Sequence, residues 1–379
     1  MKKKRIYCDH NATTPIHKEV KAIFKTALDV YGNASSLYLT GRQAKEELEL
    51  ARETIATYIQ ANSDQLIFCS SGTEANNHVL NHFIYEKIIS EQPVHILASA
   101  IEHSSILSTL ENLKKYGIEY DLIEVDSNGH ININSLQDLI KPYTKLACIM
   151  LANNEIGTIQ DIARISKLCH EHNILVHCDG VQALGKISIN VNQLDIDFMS
   201  FSAHKIYAPK GCGALYVKNE QLLSNLIHGG HQERGLRAST ENIPGIIAFR
   251  KAIELLDVDY YIQHTTKLCT QLKQNLSILE PVFFNSSQLG LSNTLNISFP
   301  GCDGHSIAMN CDLEGLDLST GSACSVGSVE PSHVLTAIGL SDELNKSSLR
   351  LSFGISTSLE DIDIISNIII TIVKRLRSL

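Results

Sequence analysis

Short apolar runs and helix-length stretches alternate along most of this chain. The runs fall at residues 66–69, 95–98, 120–125, 146–151, 174–178, 198–201 and 214–217. Segments such as 104–116 and 161–172 lie between them and are long enough for helices. Strands alternating with helices predict an α/β layer with a largely parallel sheet flanked by helices. Ahead of the runs, 41–60 is charged and amphipathic, with Leu48, Ala51, Ile55, Tyr58 and Ile59 compatible with one apolar face. The chain opens on a short extended stretch that ends in a polar loop, Asp9 to Thr14. Thr14-Pro15 then suits a helix start, where the missing proline N–H costs nothing. After Pro244 the texture changes. A long helical segment, 246–278, leads to two more strand-like runs, 294–299 and 348–353, and a closing helix. This places a domain boundary near 250–270. No Pro/Gly/Ser-rich linker marks it, so the larger part and the smaller α+β part are expected to pack closely.

Composition narrows the function classes. The chain has 379 residues and a formal charge of −9, the wrong sign for non-specific nucleic-acid binding. Met1 to Arg5 is basic, but no apolar core of a signal peptide follows it. The most apolar segment, 362–373, is interrupted by Ser366, Asn367 and Thr371 and is too short to cross a bilayer, so no membrane role is expected. Ten cysteines carry no C-x-x-C pair and read as reduced thiols, as in a cytoplasmic protein. Cys69, Cys148 and Cys178 sit in apolar runs and are expected in the core.

Three strand ends carry candidate chemistry. In Ser70-Ser71-Gly72-Thr73-Glu74 a strand meets a helix start, whose N–H groups and hydroxyls suit a phosphate. It lacks the lysine of a P-loop and has no G-x-G-x-x-G, which argues against ATP and dinucleotides. Asp179, with Gln182 three residues on, ends a second strand, and a buried carboxylate there wants a cationic partner such as a protonated pyridine nitrogen. Ser202-Ala203-His204-Lys205 ends a third, where a partly buried lysine can form a Schiff base. Each feature alone also has a plainer reading: helix capping by Ser71 or Thr73, helix capping by Asp179, a surface turn at Lys205. Together they supply what a pyridoxal phosphate enzyme needs. His103, after another strand, is placed to stack on a planar ring or simply to open a helix. Cys324 lies in a small, hydroxyl-rich loop, where a thiol is a candidate nucleophile or carrier, or an incidental exposed cysteine. No metal site is expected: neighbours on a strand, His177 to Asp179, point to opposite faces, and His170-Glu171-His172 reads as a solvated helix face.

These motifs resemble those of the cysteine desulfurases that feed iron–sulfur cluster assembly, within the class V aminotransferase-like, fold-type I pyridoxal phosphate enzymes. The resemblance runs from Asp9-x-x-Ala12-Thr13-Thr14-Pro15 through Ser70-x-Gly72-Thr73-Glu74-Ala75-Asn76-Asn77, Glu102-His103, Asn153-Asn154-Glu155-Ile156-Gly157 and Asp179-x-x-Gln182. It continues through Ser202-x-His204-Lys205, Gly229-Gly230-x-Gln232-Glu233-x-Gly235-x-Arg237, Gly321-Ser322-Ala323-Cys324 and Ser347-Ser348-x-Arg350. It implies a large cofactor-binding domain, 16–260, with its mostly parallel sheet, and a smaller α+β domain, 1–15 and 261–379, carrying the cysteine loop. It implies that Lys205 holds the aldehyde of pyridoxal 5'-phosphate and Asp179 the ring nitrogen. Gln182 and Asn154 then bond near the ring hydroxyl, Asn154 also meeting substrate, and His103 stacks on the ring and moves protons. Gly72, Thr73, Ser202 and His204 hold the phosphate, with Thr240 reaching it from the other subunit of a homodimer. Arg350 clamps the carboxylate of L-cysteine, and Cys324 takes the sulfur as a persulfide. Sulfur-acceptor proteins for iron–sulfur assembly or tRNA thiolation are the implied partners, and Cys324 would touch an iron–sulfur cluster only transiently, on such a partner. An aminotransferase or a selenocysteine lyase is the alternative within the same enzymes, and a non-catalytic sulfur-relay scaffold the alternative outside them. Ser71, Ala34, Tyr38, Ser239, Cys302 and His305 depart from the usual pattern; Ser71 and Ser239 bear on how closely the backbone approaches the phosphate.

Overall fold

A computed structural model describes residues 5–320 and 331–378. The strands are β1 (Ile6–Tyr7), β2 (Leu66–Cys69), β3 (Val94–Ser99), β4 (Ile118–Ile123), β5 (Thr144–Cys148), β6 (Leu175–Asp179), β7 (Phe198–Ser202), β8 (Gly213–Val217), β9 (Phe283–Phe284), β10 (Thr294–Ser298), β11 (Leu316–Asp317), β12 (Ser319–Thr320) and β13 (Ser348–Ser352). The helices are α1 (Lys18–Ala27), α2 (Leu39–Tyr58), α3 (Gly72–Ser90), α4 (Ser104–Leu113), α5 (Ile133–Asp138), α6 (Ile162–Glu171), α7 (Val191–Leu194), α8 (Ile243–Glu254), α9 (Val258–Leu276), α10 (Gly304–Leu313), α11 (His333–Ala337), α12 (Asp342–Lys346) and α13 (Leu359–Arg377).

Seven strands form the main sheet in the order β2-β8-β7-β6-β5-β3-β4. From β7 to β4 every pairing is parallel, and β8 runs antiparallel to both its neighbours. The mostly parallel expectation therefore holds. The strands β3, β7 and β8 are buried at every position, because both faces of the sheet are covered. One core lies on the face that α2, α6 and α8 cover, the other on the face of α3 and α4. Cys69, Cys148 and Cys178 are buried, as expected. A third core joins Ile6 and Cys8 to residues of α9, β10, β13 and α13. There β12-β13-β10-β9 forms a small antiparallel sheet.

Some boundaries differ from the pattern along the chain. The expected helix over 246–278 is two helices, α8 and α9. Asp257 breaks it by turning extended and accepting a hydrogen bond from Tyr260 N, which starts α9 afresh. The run 146–151 leaves the named strand at Cys148. Ile149 and Leu151 are apolar because they are buried, and their N–H groups still donate to His177 O and Asp179 O. The run 120–125 is β4 two residues earlier, pairing Ile118 with Val94.

Candidate active site

The parallel strands all deliver their C-terminal ends to one edge of the sheet, where such sheets bind ligands. A cavity of about 280 Å³ opens there. Gly72, Thr73, His103, Asn154, Asp179, Gln182, Ser202, His204, Lys205 and Arg350 all line it. Ten residues from six separated stretches thus share one space. Thr240 does not. It is exposed and lines a different pocket with Ser70, Arg237 and Ser239. Cys324 lies outside the described residues.

The helix start at α3 is built as expected. Ser71 caps it by accepting from Glu74 N at 3.1 Å. Ser71 itself has φ −171°, extended backbone that any residue adopts, so its side chain introduces no strain. Gly72 is different: a Cβ there would stand 2.5 Å from Val181 Cγ2, so only glycine lets the helix start approach the turn after β6. The Ser202 hydroxyl is buried and has no hydrogen-bond partner among the described residues. His204 Nδ1 lies 3.0 Å from Thr13 Oγ1. Burial, with the charges of Lys205 and Lys210, lowers its pKa to about 4.

Asp179 serves both readings of its strand end. Oδ1 accepts from Val181 N at 2.9 Å and fixes the turn, while Oδ2 accepts from Asn76 Nδ2 at 2.8 Å beside the cavity. His103 likewise caps α4 through Ser105 N and still lines the cavity. Lys205 sits in a 3-10 turn just past β7, with Nζ donating to Asn11 O at 2.6 Å and Ala12 O at 2.8 Å. Arg350, on β13, is fully buried. Its Nη2 donates to Asp9 Oδ1 at 2.7 Å and its Nη1 to Asn154 O at 3.3 Å, while Nε has no partner among the described residues.

Asn11, Asn76, Asp9 and Lys186 also contact groups of the site, and none of them has a role assigned from the sequence alone. Asn76 carried a signal, one turn after Gly72 on the same helix. Asn11 and Asp9 stand in a polar loop whose motif, Asp9-x-x-Ala12-Thr13-Thr14-Pro15, supports the resemblance without giving either residue a role.

The residues fit a flat, phosphate-bearing aldehyde. An unpartnered buried hydroxyl at Ser202 and a helix start that tolerates no Cβ suit the phosphate, and a carboxylate and an amine lie in the same cavity. Among the described residues no group of three His, Cys, Asp or Glu side chains is placed to hold a metal ion.

A mostly parallel α/β sheet with lysine, aspartate and a helix start converging at its strand ends defines a Schiff-base-forming enzyme. The chain belongs to the class-V aminotransferase family, whose model matches residues 6–365, and that family depends on pyridoxal phosphate. It is 41% identical over 382 residues to cysteine desulfurase IscS of Dictyoglomus turgidum, covering 100% of this chain and 96% of the relative. A solved NifS-like protein superposes with a TM-score of 0.91 at 32% identity, covering 99% of this chain and 100% of the other. The structure of SspA in complex with cysteine matches with a TM-score of 0.82 at 32% identity, covering 92% and 98%. No described helix is long and apolar enough to cross a membrane.

Glu155, next to Asn154, is buried, and Ser332 Oγ donates to its Oε2 at 2.6 Å. Burial pushes this carboxyl up to about 7, against the opposing Ser332 hydrogen bond and the charges of Arg350 and His103. The folded state therefore prefers the neutral acid. Ionisation is penalised progressively as pH rises from the unfolded value near 4.5 to about 7, and the penalty is constant above that. Such a shift corresponds to roughly 3 kcal/mol. Glu155→Gln keeps an acceptor for Ser332 and cannot ionise. Its unfolding free energy relative to wild type is expected to rise by roughly 3 kcal/mol between about pH 4 and pH 8 in urea titrations. A difference independent of pH would contradict this.

Proposed function

We propose that this protein is a pyridoxal phosphate-dependent cysteine desulfurase, taking sulfur from L-cysteine and releasing L-alanine. The observation that carries the reading is the sharing of one cavity by Lys205, Asp179 and Arg350, in a chain related along its whole length to proteins named cysteine desulfurase. Pyridoxal phosphate, when bound, supplies an electron sink for bond cleavage beside the substrate α-carbon. Gly72, Thr73, Ser202 and His204 hold its phosphate, Asp179 keeps its ring nitrogen protonated, and Gln182 and Asn154 face its ring hydroxyl. His103 covers the ring and passes protons.

Arg350 receives the substrate carboxylate. Asp9 and Asn154 O hold the guanidinium in place, which lowers the entropic cost of that contact. The Lys205 amine takes the proton from the α-carbon and returns one to the product. Cys324, as thiolate, accepts the substrate sulfur: the carbon–sulfur bond breaks, a sulfur–sulfur bond forms, and the persulfide is passed to an acceptor protein for iron–sulfur assembly or tRNA thiolation. Thr240 completes the phosphate site of a second copy in a cytoplasmic homodimer. Residues 16–260 form the cofactor-binding domain, and 1–15 with 261–379 the small domain that carries the cysteine.

The test is mass spectrometry of the holoenzyme after exposure to L-cysteine. One added sulfur on Cys324 is expected. Cys324→Ser is expected to carry none and to lose about 10²-fold or more in alanine release with a thiol reductant present. Full turnover in Cys324→Ser would remove this residue from the reaction. Amino transfer to a keto acid faster than sulfur release would favour an aminotransferase.

A further inference from the structure

Behind the cavity, Lys186 is 3% exposed and has no carboxylate partner among the described residues. Burial, together with the nearby positive charges of Lys205 and Arg350, holds its pKa well below that of an ordinary lysine. An unpaired buried amine is costly to keep, so its neighbours matter. Nζ donates to Gln182 Oε1 at 2.5 Å and to Asn11 Oδ1 at 2.8 Å. Both bonds survive in either protonation state, since a neutral amine still has two N–H groups.

The other end of the Gln182 carboxamide is fixed as well. Nε2 donates to Asn11 O at 2.9 Å. That carbonyl also accepts from Lys205 Nζ, so both its lone pairs are taken. Asn11 is locked in turn: its Nδ2 donates to Asn154 O and Thr294 Oγ1, and its Oδ1 also accepts from Asn293 Nδ2. The Gln182 oxygen is therefore held by Lys186 and its nitrogen by Asn11. What Gln182 has left to offer the cavity it lines is its second N–H.

We infer that Lys186 is a positioning residue of the site, clamping Gln182 so that it presents an N–H, and not its carbonyl, to the ring oxygen of the cofactor. The inference rests on the pyridoxal phosphate reading above. A donor at that place favours the ionised ring oxygen and weakens its hold on the proton it shares with the Lys205 nitrogen. Without the clamp, the buried Gln182 oxygen loses its donor and the carboxamide turns to find another.

The readout is the pH titration of the visible absorption of the holoenzyme, which reports that shared proton. Lys186→Met removes the donor at similar length and is expected to move the midpoint up by about 1–2 units, the scale of one hydrogen bond to a charged oxygen. Gln182→Met is expected to move it in the same direction, and the double variant no further, because both changes break one clamp. A midpoint identical to wild type in Lys186→Met, or fully additive shifts in the double variant, overturns the assignment. Should Lys186→Met fail to fold or to load, Lys186→Gln decides by the same criterion; it is one bond shorter and cannot reach both acceptors. A wild-type protein that takes up no pyridoxal phosphate fails the functional reading instead, so the two failures are separable.

Discussion

Lys205→Ala is expected to lower alanine release from L-cysteine by about 10²–10⁴-fold, the range for a positioned proton-transfer group, while leaving the fold intact. The turn that carries Lys205 does not depend on its side chain. Ile206 N and Ala208 N both bond Ala203 O, and Thr14 N and Oγ1 both bond His204 O. The two carbonyls that accept from Lys205 belong to Asn11 and Ala12, and the first keeps its bond from Gln182. The phosphate and ring contacts proposed above belong to other residues, so cofactor is expected to bind the variant without its covalent link. The checks are single-turnover assays of the loaded variant with far-UV circular dichroism alongside. Turnover within tenfold of wild type would take Lys205 out of the proton transfer.

The residues legible in the sequence were those whose chemistry is local to a strand end. Asp179, Lys205 and the Gly72-Thr73 helix start each sit where a β-run meets a small-residue loop, and parallel topology does the rest by bringing those ends to one edge. His103 and Asp179 admitted two readings because each performs both tasks, capping a helix or turn with one atom and facing the cavity with the side chain as a whole. Asn11 and Lys186 were not legible. Their roles arise from contacts across roughly 175 positions, since Lys186 meets Asn11 only after β1 is laid beside β11 and the polar loop folds back on the sheet. Hydrophobic periodicity carries no information about such pairs. Apolar content also overran element ends, as at Ile149 to Leu151, because burial and strand pairing are separate demands.

Glu233→Leu is expected to destabilise the protein by about 3–5 kcal/mol, because it strands a buried guanidinium. Arg52 is 3% exposed and meets Glu233, itself 6% exposed, through two bonds, Nη1 to Oε2 at 2.6 Å and Nη2 to Oε1 at 2.8 Å. Glu233 Oε2 also accepts from Phe68 N in β2 at 2.8 Å, so the variant orphans a backbone donor as well. Arg52 would retain Leu66 O, the solvent-facing Glu49 and the Phe68 ring, with its guanidinium carbon 4.9 Å from the ring centroid. Those contacts compensate only part of the loss. The pair does more than fill a hole. Glu233 and Arg234 have φ of 47° and 57°, and Ser239 has φ 108°, so three non-glycine residues in this short segment hold unfavourable backbone. Each costs on the order of 1–3 kcal/mol, and the buried pair, with Arg237 bonded to Glu74 at 2.8 Å, is what overrides that preference. Arg52→Met/Glu233→Leu removes both charges and is expected to recover much of the lost stability in urea titrations, as buried pairs replaced by apolar groups do. It is not expected to restore the segment, which then lacks its anchor to β2. On the role proposed for Thr240, which lies next to Ser239 at the end of this segment, the double variant should therefore regain stability yet bind pyridoxal phosphate more weakly than wild type. Wild-type affinity in the double variant would show that the strained backbone is held by something other than this pair.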